Sequence, residues 1–290
     1  MEQIISLKQY EQLLKGTRKQ YGRLHTNCFM LAPETERVIE QGRLYFEETD
    51  QGLLFFVDEK RYYQVYFHIS PDVKKLQMIP KKKPVLIRII YMQGGKSHLQ
   101  NKIDKLIAEA GFSLLDSTTQ VYTVAKDNLA VMGAMYERME NLLKEYGMRL
   151  VVAGEEHLDE ILKLRDSEPE LKMFHIPFHT REEELRIIRE GGYACVVDHS
   201  NSICAARKTE RMMGSLYSPW FCVKSEYKDK YGLGIVMTGF EMKYACEHDL
   251  PRVYGWIAND NVRSWNYHKR LGVICSGKVA DEWVLQENRG

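Results

Sequence analysis

Paired cysteines, long apolar runs and an excess of charge of either sign are missing from this sequence, and each absence removes a class of protein. The six cysteines, Cys28, Cys195, Cys204, Cys222, Cys246 and Cys275, are scattered. Neither a zinc site nor a disulfide framework is expected, and they read as reduced, mostly buried thiols. No apolar run reaches the roughly eighteen residues that a spanning helix requires. Lysine and arginine total 41 against 40 aspartate and glutamate, a formal net charge of +1. That balance gives no electrostatic footprint for nucleic acid or an anionic membrane as the principal partner. Met1-Glu2-Gln3-Ile4-Ile5 has neither the basic lead nor the apolar core of a signal segment, so a cytoplasmic protein is expected.

What is present is a chain of 290 residues with 44% apolar content, enough for a real core and long for one ordinary domain. A polar amphipathic helix is read over 6–21 and a first short strand at Asn27-Cys28-Phe29-Met30. A strand series follows at 43–46, 53–57 and 62–68, separated by turns at Asp50-Gln51-Gly52 and Asp58-Glu59-Lys60. The triplet Lys81-Lys82-Lys83 reads as a solvated turn. A strand at 84–92, a helix at 97–110 and a strand pair at 113–124 close the first half. Met132, Met135, Met139, Leu142 and Tyr146 recur at helical spacing over 127–146 and read as packing between domains. The second half then offers a strand at 148–153, a helix at 156–164, a loop at 168–180, a helix at 181–190 and strands at 192–198, 202–209 and 211–223. Ala110-Gly111-Phe112 and Leu271-Gly272-Val273 stand at the same distance from the last strand residue that follows each, Val124 and Leu285, which suggests a duplicated structure.

The most informative stretch runs from Tyr231 to Val273. Tyr231-Gly232-Leu233-Gly234 opens a helix that carries Met237, Phe240 and Tyr244 on one face and stops at Pro251. The apolar run Arg252-Val253-Tyr254-Gly255-Trp256-Ile257 reads as a buried strand, and Asn261 caps a second helix with Ser264 one turn in. Glycines at a helix mouth let the backbone approach a ligand, and the first-turn N–H groups then point at an anion such as a pyrophosphate.

These residues resemble the acyl-coenzyme A site of the GNAT superfamily of N-acyltransferases. One signature of that superfamily is Arg/Gln-x-x-Gly-x-Gly/Ala; here Gly232 and Gly234 match the glycines, while Asp229 stands where Arg or Gln is usual. The other is Asn-x-x-Ser/Ala-x-x-Leu-Tyr-x-Lys-x-Gly-Phe. It lays Asn261 on the Asn, Ser264 on the Ser/Ala, Tyr267 on the Leu, His268 on the Tyr, Arg270 on the Lys, Gly272 on the Gly and Val273 on the Phe. The resemblance implies an α+β fold of two GNAT-like domains, each a mostly antiparallel mixed sheet flanked by helices. Residues 1–125 would form a degenerate domain with no coenzyme site, 126–147 a connecting helix and 148–290 the acyl-CoA-binding catalytic domain. The first half has no Gly-x-Gly between Ser70 and Pro84 and too few residues there for a loop plus a helix.

It further implies acetyl-CoA or another acyl-CoA as co-substrate. Phe221, Cys222 and Val223 would hold the pantetheine arm through main chain, with Lys228, Asp229, Lys230, Tyr231, Gly232, Leu233 and Gly234 around the phosphates and Asn261, Ser264 and Arg270 on the later helix. A small-molecule or peptide amine would be the acceptor, under the loop that carries His175, Pro177 and His179, and a homodimer is compatible with it. Separated by Ile176-Pro177-Phe178 and lacking a third ligand, the two histidines do not read as a metal site. His268 stands where the thiolate is protonated, a task for imidazolium that suits the acid side of its ordinary pKa. Tyr217, His175, His179 or a water chain stand open as general base. Cys222 reads as a buried thiol before an acyl-cysteine nucleophile, and Glu226 as a solvated turn residue. Two other readings stay open: a non-catalytic acyl-CoA-binding regulator or scaffold, and a tRNA-dependent aminoacyl transferase of the peptidoglycan-bridge type.

Overall fold

The computed structural model of the chain describes residues 1–28, 30–76, 82–167, 178–228 and 230–286, with the side chain of Leu99 left aside. They form two compact units, the first comprising Met1–Thr119, Ala258–Asp260 and Gly277–Gly290, the second Gln120–Ile257 and Asn261–Ser276.

The first unit contains β1 (Glu2–Gln3), α1 (Leu7–Tyr21), β2 (His25–Thr26), α2 (Ala32–Glu40), β3 (Leu44–Thr49), β4 (Gly52–Asp58), β5 (Tyr63–Ile69), β6 (Val85–Met92), α3 (His98–Glu109), the start of β7 (Ser113–Val124) and most of β13 (Ile274–Leu285). Ser6 caps α1 through Gln9 N, and Ser97 with Gln100 forms a full capping box on α3. Strand order is β1-β3-β4-β5-β6-β13-β7. The join of β5 to β6 is parallel, and β3-β4, β4-β5 and β6-β13 are antiparallel. The run Leu53-Leu54-Phe55-Phe56-Val57 is apolar throughout because both faces of β4 are covered. Leu54 and Phe56 enter the core under α3, whereas Leu53, Phe55 and Val57 enter the one under α1 and α2.

The second unit contains the end of β7, then α4 (Ala125–Glu145), β8 (Arg149–Val152), α5 (Leu158–Ser167), α6 (Arg181–Arg189), β9 (Tyr193–Val197), β10 (Ile203–Met212), β11 (Ser215–Val223), α7 (Leu233–Glu247), β12 (Arg252–Ala258) and α8 (Val262–Arg270). Strand order is β7-β12-β11-β10-β9-β8, with β11 parallel to β12. Helices α5 and α6 cover one face with Leu158, Ile161, Ile187 and Ile188, while α4 and α7 cover the other with Leu143, Val236 and Met237.

Each unit is thus a mostly antiparallel mixed sheet flanked by helices, as expected. Each compact unit is discontinuous in sequence, and three expectations are corrected. β13 pairs with β6 from Lys278↔Met92 to Leu285↔Val85 and sends Trp283 and Leu285 into the first unit's core, so its apolar face is buried there. The stretches after Gly111 and Gly272 are single long strands, Ser113–Val124 and Ile274–Leu285, rather than strand pairs. The early strand is His25–Thr26; within the stretch read as strand, Phe29 lies outside the described residues and Asn27 replaces backbone pairing with its side chain. The methionine stripe of α4 packs on α7 inside the second unit, Met132 and Met135 in one cluster and Met139 in the next. Helix α2, with a proline in its first turn, was not anticipated.

Candidate functional site

β11 ends at Val223 and leads through a single 3-10 turn, Ser225–Tyr227, to a reversal in which Tyr231 (φ 60°) and Gly232 (φ 63°) are both left-handed. Helix α7 starts there with Gly232 as N-cap and no side chain capping its first turn. Ile235 N and Val236 N return to Gly232 O at 2.9 and 3.2 Å. The N–H groups of Gly232, Leu233 and Gly234 donate to no acceptor among the described residues. Three outward donors at the positive end of a helix form an anion-binding mouth. The two glycines differ in need. A Cβ on Gly232 would combine left-handed strain with a collision against the Met139 methyl, whereas one on Gly234 would meet only Tyr267 at 3.6 Å and Phe221 at 3.7 Å. Lys230 is exposed beside the mouth, and Lys228 is half-buried. Asp229 lies outside the described residues.

The strand that leads into this mouth parts from its neighbour. Among the described residues β11 pairs with β12 at Leu216↔Val253 and Tyr217↔Tyr254, and β11 continues beyond that register to Val223. Ser218 and Pro219 oppose the single residue Thr209 on β10, a bulge that bends β11 where it leaves β12. Proline lacks the N–H a paired strand would use, so Pro219 marks the free edge in the sequence itself. Beyond the bulge Phe221 and Val223 pack on the α7 side, while Cys222 points into the core under α5 and α6 beside Trp220. The Cys222 thiol is therefore on the far side of the sheet from the helix mouth.

The first unit has the matching feature, closed. β5 and β6 are parallel from Tyr63↔Val85 to Val65↔Ile87. The buried amide of Asn27 then lies between them, accepting from Phe67 N at 2.7 Å and donating to Val65 O at 3.0 Å and Arg88 O at 3.1 Å.

Helix α8 flanks the second unit's gap. Asn261 is spent on its N-cap, accepting from Ser264 N at 2.9 Å. Tyr267 donates to Gly234 O at 2.7 Å and meets Thr238 Oγ1 at 2.6 Å, tying α8 to the first turn of α7. His268 Nδ1 lies 2.8 Å from Ser264 O and 3.2 Å from Ser264 Oγ. A carbonyl can only accept, so Nδ1 carries the hydrogen and Nε2 the lone pair. Burial, opposed by the Ser264 carbonyl and aided by the Arg207 charge, brings His268 down to about 4. Burial thus disfavours the imidazolium form that a proton donor would need, and Nδ1 is the nitrogen engaged by Ser264. Arg270 is exposed in the last turn of α8, at the end opposite Asn261.

Two buried charge groups escaped the sequence reading. Under α7, Arg207 pairs with Glu241 and sits 4.7 Å over the Phe221 ring. Burial moves the guanidinium down to about 10. On the opposite face Lys208 donates to Glu184 Oε2 at 2.9 Å and to His179 Nδ1. Tyr193 donates to the same Glu184 oxygen at 2.7 Å. Burial works against ionisation of Glu184, but His179, Lys208 and Tyr193 outweigh it and hold the carboxyl at about 2. His179 is thus part of a buried network, and His175 and Pro177 lie outside the described residues. Among the described residues no cluster of His, Cys, Asp and Glu could hold a metal ion, and no helix is long and apolar enough to cross a membrane.

Tyr217 stacks on Tyr254, with ring centroids 5.0 Å apart, at the last point where β11 and β12 touch. Its partner across β10 is Glu210. That carboxylate was missed because 211–223 was read as one strand. Met213 (φ 50°) and Gly214 (φ 71°) make a tight two-residue turn between Met212 and Ser215. Such a turn is signalled by Asn-Gly or Asp-Gly, and methionine in its first position hid it.

By sequence alone, no family model and no curated relative matches this chain. By structure, a tandem GNAT protein from the clavulanic acid biosynthesis pathway is similar at a TM-score of 0.50, with 11% identity over 86% of this chain and 85% of that one. A Drosophila protein is similar at 0.56, with 12% identity over 100% and 99%. The GCN5-related N-acetyltransferase of Sphaerobacter thermophilus is similar at 0.51, with 10% identity over 95% and 90%. At these identities the likeness is one of fold.

Proposed function

We propose, from the premise that this chain has the GNAT fold, that it moves an acyl group, acetyl in the first instance, from acyl-CoA to a primary amine. The observation that carries this reading is the pairing of a parted parallel strand edge with an uncapped helix mouth at the end of the same strand. A diphosphate suits the N–H groups of Gly232, Leu233 and Gly234, with Lys230 adding charge from the exposed side of the loop. An amide-bearing arm suits the edge of β11 that runs for about 17 Å from Ser218 to Val223, beyond its last described pairing with β12. The acyl end of a thioester laid this way comes to the row of Tyr217 and Tyr254.

There the chain's own groups have the following tasks. Backbone N–H groups of β11 stabilise the oxyanion as the amine attacks the carbonyl. His268, neutral with Nε2 free, accepts a proton in the course of the reaction rather than supplying one at the start. Arg207 lies under Phe221 and keeps a positive charge on the α7 side, which also disfavours imidazolium. Asn261 and Ser264 act through α8, one by capping it and the other by orienting His268, and Tyr267 keeps α8 in place against Gly234. Among its described residues the first unit contributes no second cradle, because Asn27 fills the corresponding gap.

Calorimetric titration with acetyl-CoA, followed by thiol release in the presence of primary amines, tests the reading. Saturable binding that Gly232→Val abolishes is expected. Absence of binding by the wild-type chain would end it.

A further inference from the structure

Asn27 meets the gap between β5 and β6 as a ligand would meet a receptor. The residue is 3% exposed, yet it enters from a strap that stays near the surface: Arg23 and Thr26 are exposed, and Leu24, His25 and Cys28 are half-buried. The strap's own strand, β2, adds the pairs His25↔Ile69 and Thr26↔His68 along β5. From Arg23 to Cys28, one side chain goes fully inside.

The three partners of the Asn27 amide, Phe67 N, Val65 O and Arg88 O, are all backbone groups. They carry no formal charge, so these contacts favour a neutral ligand in a buried place. Phe67 N can be met only by an acceptor, which fixes Oδ1 on that side and leaves both hydrogens of Nδ2 for Val65 O and Arg88 O. One donor and two acceptors are the complement of a primary carboxamide. A secondary amide has a single N–H and leaves one buried carbonyl unmet, whereas a carboxylate has no hydrogen to give and turns its oxygens toward two carbonyls. Water has the right hydrogens but a single centre, where the carboxamide spreads its three bonds over two atoms.

We propose that the gap between β5 and β6 is a receptor for a primary carboxamide, occupied in cis by Asn27 at the tip of the strap. The tether gives the Asn27 amide an effective concentration of about millimolar or more, so a free carboxamide enters once that side chain is removed. The class of ligand is set by the three backbone groups: a CONH2 on a small carrier, as in acetamide or the side chains of asparagine and glutamine. The first unit is then a self-liganded domain rather than an empty one.

Asn27→Gly lacks the atoms of acetamide, and Asn27→Leu keeps comparable bulk without the polar atoms. In the full chain, about 0.1 M acetamide is expected to slow exchange of the Phe67 N–H about tenfold in Asn27→Gly and to leave Asn27→Leu and the wild type within about twofold. N-methylacetamide gives less than about a third of that gain, and acetate gives none. Should Asn27→Gly not fold in buffer, acetamide is expected to restore its folded near-ultraviolet signal while acetate does not. Equal protection by acetate or N-methylacetamide, equal protection in Asn27→Leu, or no response of Asn27→Gly to acetamide in either readout would overturn the assignment. No acetyl-CoA enters these measurements, so their outcome is separate from that of the transferase reading.

Discussion

Replacing Asn27 with alanine removes a side chain that bridges the gap between β5 and β6. Three hydrogen bonds go, and Phe67 N, Val65 O and Arg88 O are left without that partner in a place where Asn27 is 3% exposed. At about 1 kcal/mol for each lost bond, with a surcharge where a buried group stays unpaired, Asn27→Ala loses about 3–5 kcal/mol. Asn27→Asp keeps the acceptor for Phe67 N but turns the two donors into an oxygen facing two carbonyls. It is expected to lose at least as much as alanine, although it is the closer isostere. Urea unfolding gives the size, and amide exchange gives the place: Phe67 N–H should lose protection while amides of β9 and β10 in the second unit keep theirs. A loss below about 1 kcal/mol, or unchanged exchange at Phe67, would refute the idea that this amide does the work of a strand edge.

Gly239→Ala is expected to destabilise by about 1–3 kcal/mol, although helix propensity alone would favour alanine by about 1 kcal/mol. The new Cβ would stand 2.8 Å from Tyr136 Cβ and Cγ, on a ring 1% exposed whose hydroxyl is held by Asn128 Oδ1 at 2.5 Å; a rise in thermal midpoint would sink this. His268 titrates near 4 when folded against 6.5 as the ordinary value. The unfolded chain then binds the extra proton first, so its contribution is full above pH 6.5 and fades as pH falls toward 4, by about 3 kcal/mol in all. Urea midpoints of His268→Gln should be flatter than wild type across that window, and parallel curves would contradict the assignment. Gly234→Ala should leave folding and acetyl-CoA binding within about threefold, since its new methyl meets only ordinary contacts; a loss as large as that of Gly232→Val would show the two glycines to be equivalent.

Most elements were legible because their signals are local. Period and turn chemistry identify β3 to β6, α3, α4, α7 and α8, and Gly232 before an apolar helical run announces the mouth that α7 has. The echo of Gly111 and Gly272 anticipated equivalent stretches, although each proved to be one long strand rather than a strand pair. Local signals failed where a residue's role depends on a distant partner. Met213-Gly214 makes a turn that glycine alone left ambiguous, and Glu210 was therefore not placed against Tyr217. Asn27 looked like strand because nothing nearby in sequence shows that its amide will meet Val65, Phe67 and Arg88.

The sequence by itself determined the alternation of strands and helices, the helix mouth at Gly232 and the absence of a matching glycine pair in the first half, since these rest on φ freedom, capping and hydrophobic period. The tertiary structure alone decided that β11 leaves β12 after Tyr217, that Asn27 closes the corresponding gap in the first unit, and that His268 is neutral with Nε2 free. Those outcomes are set by which backbone edges find partners and how much water is excluded around each charge. Both are properties of residues far apart in the chain, so no window of sequence carries them.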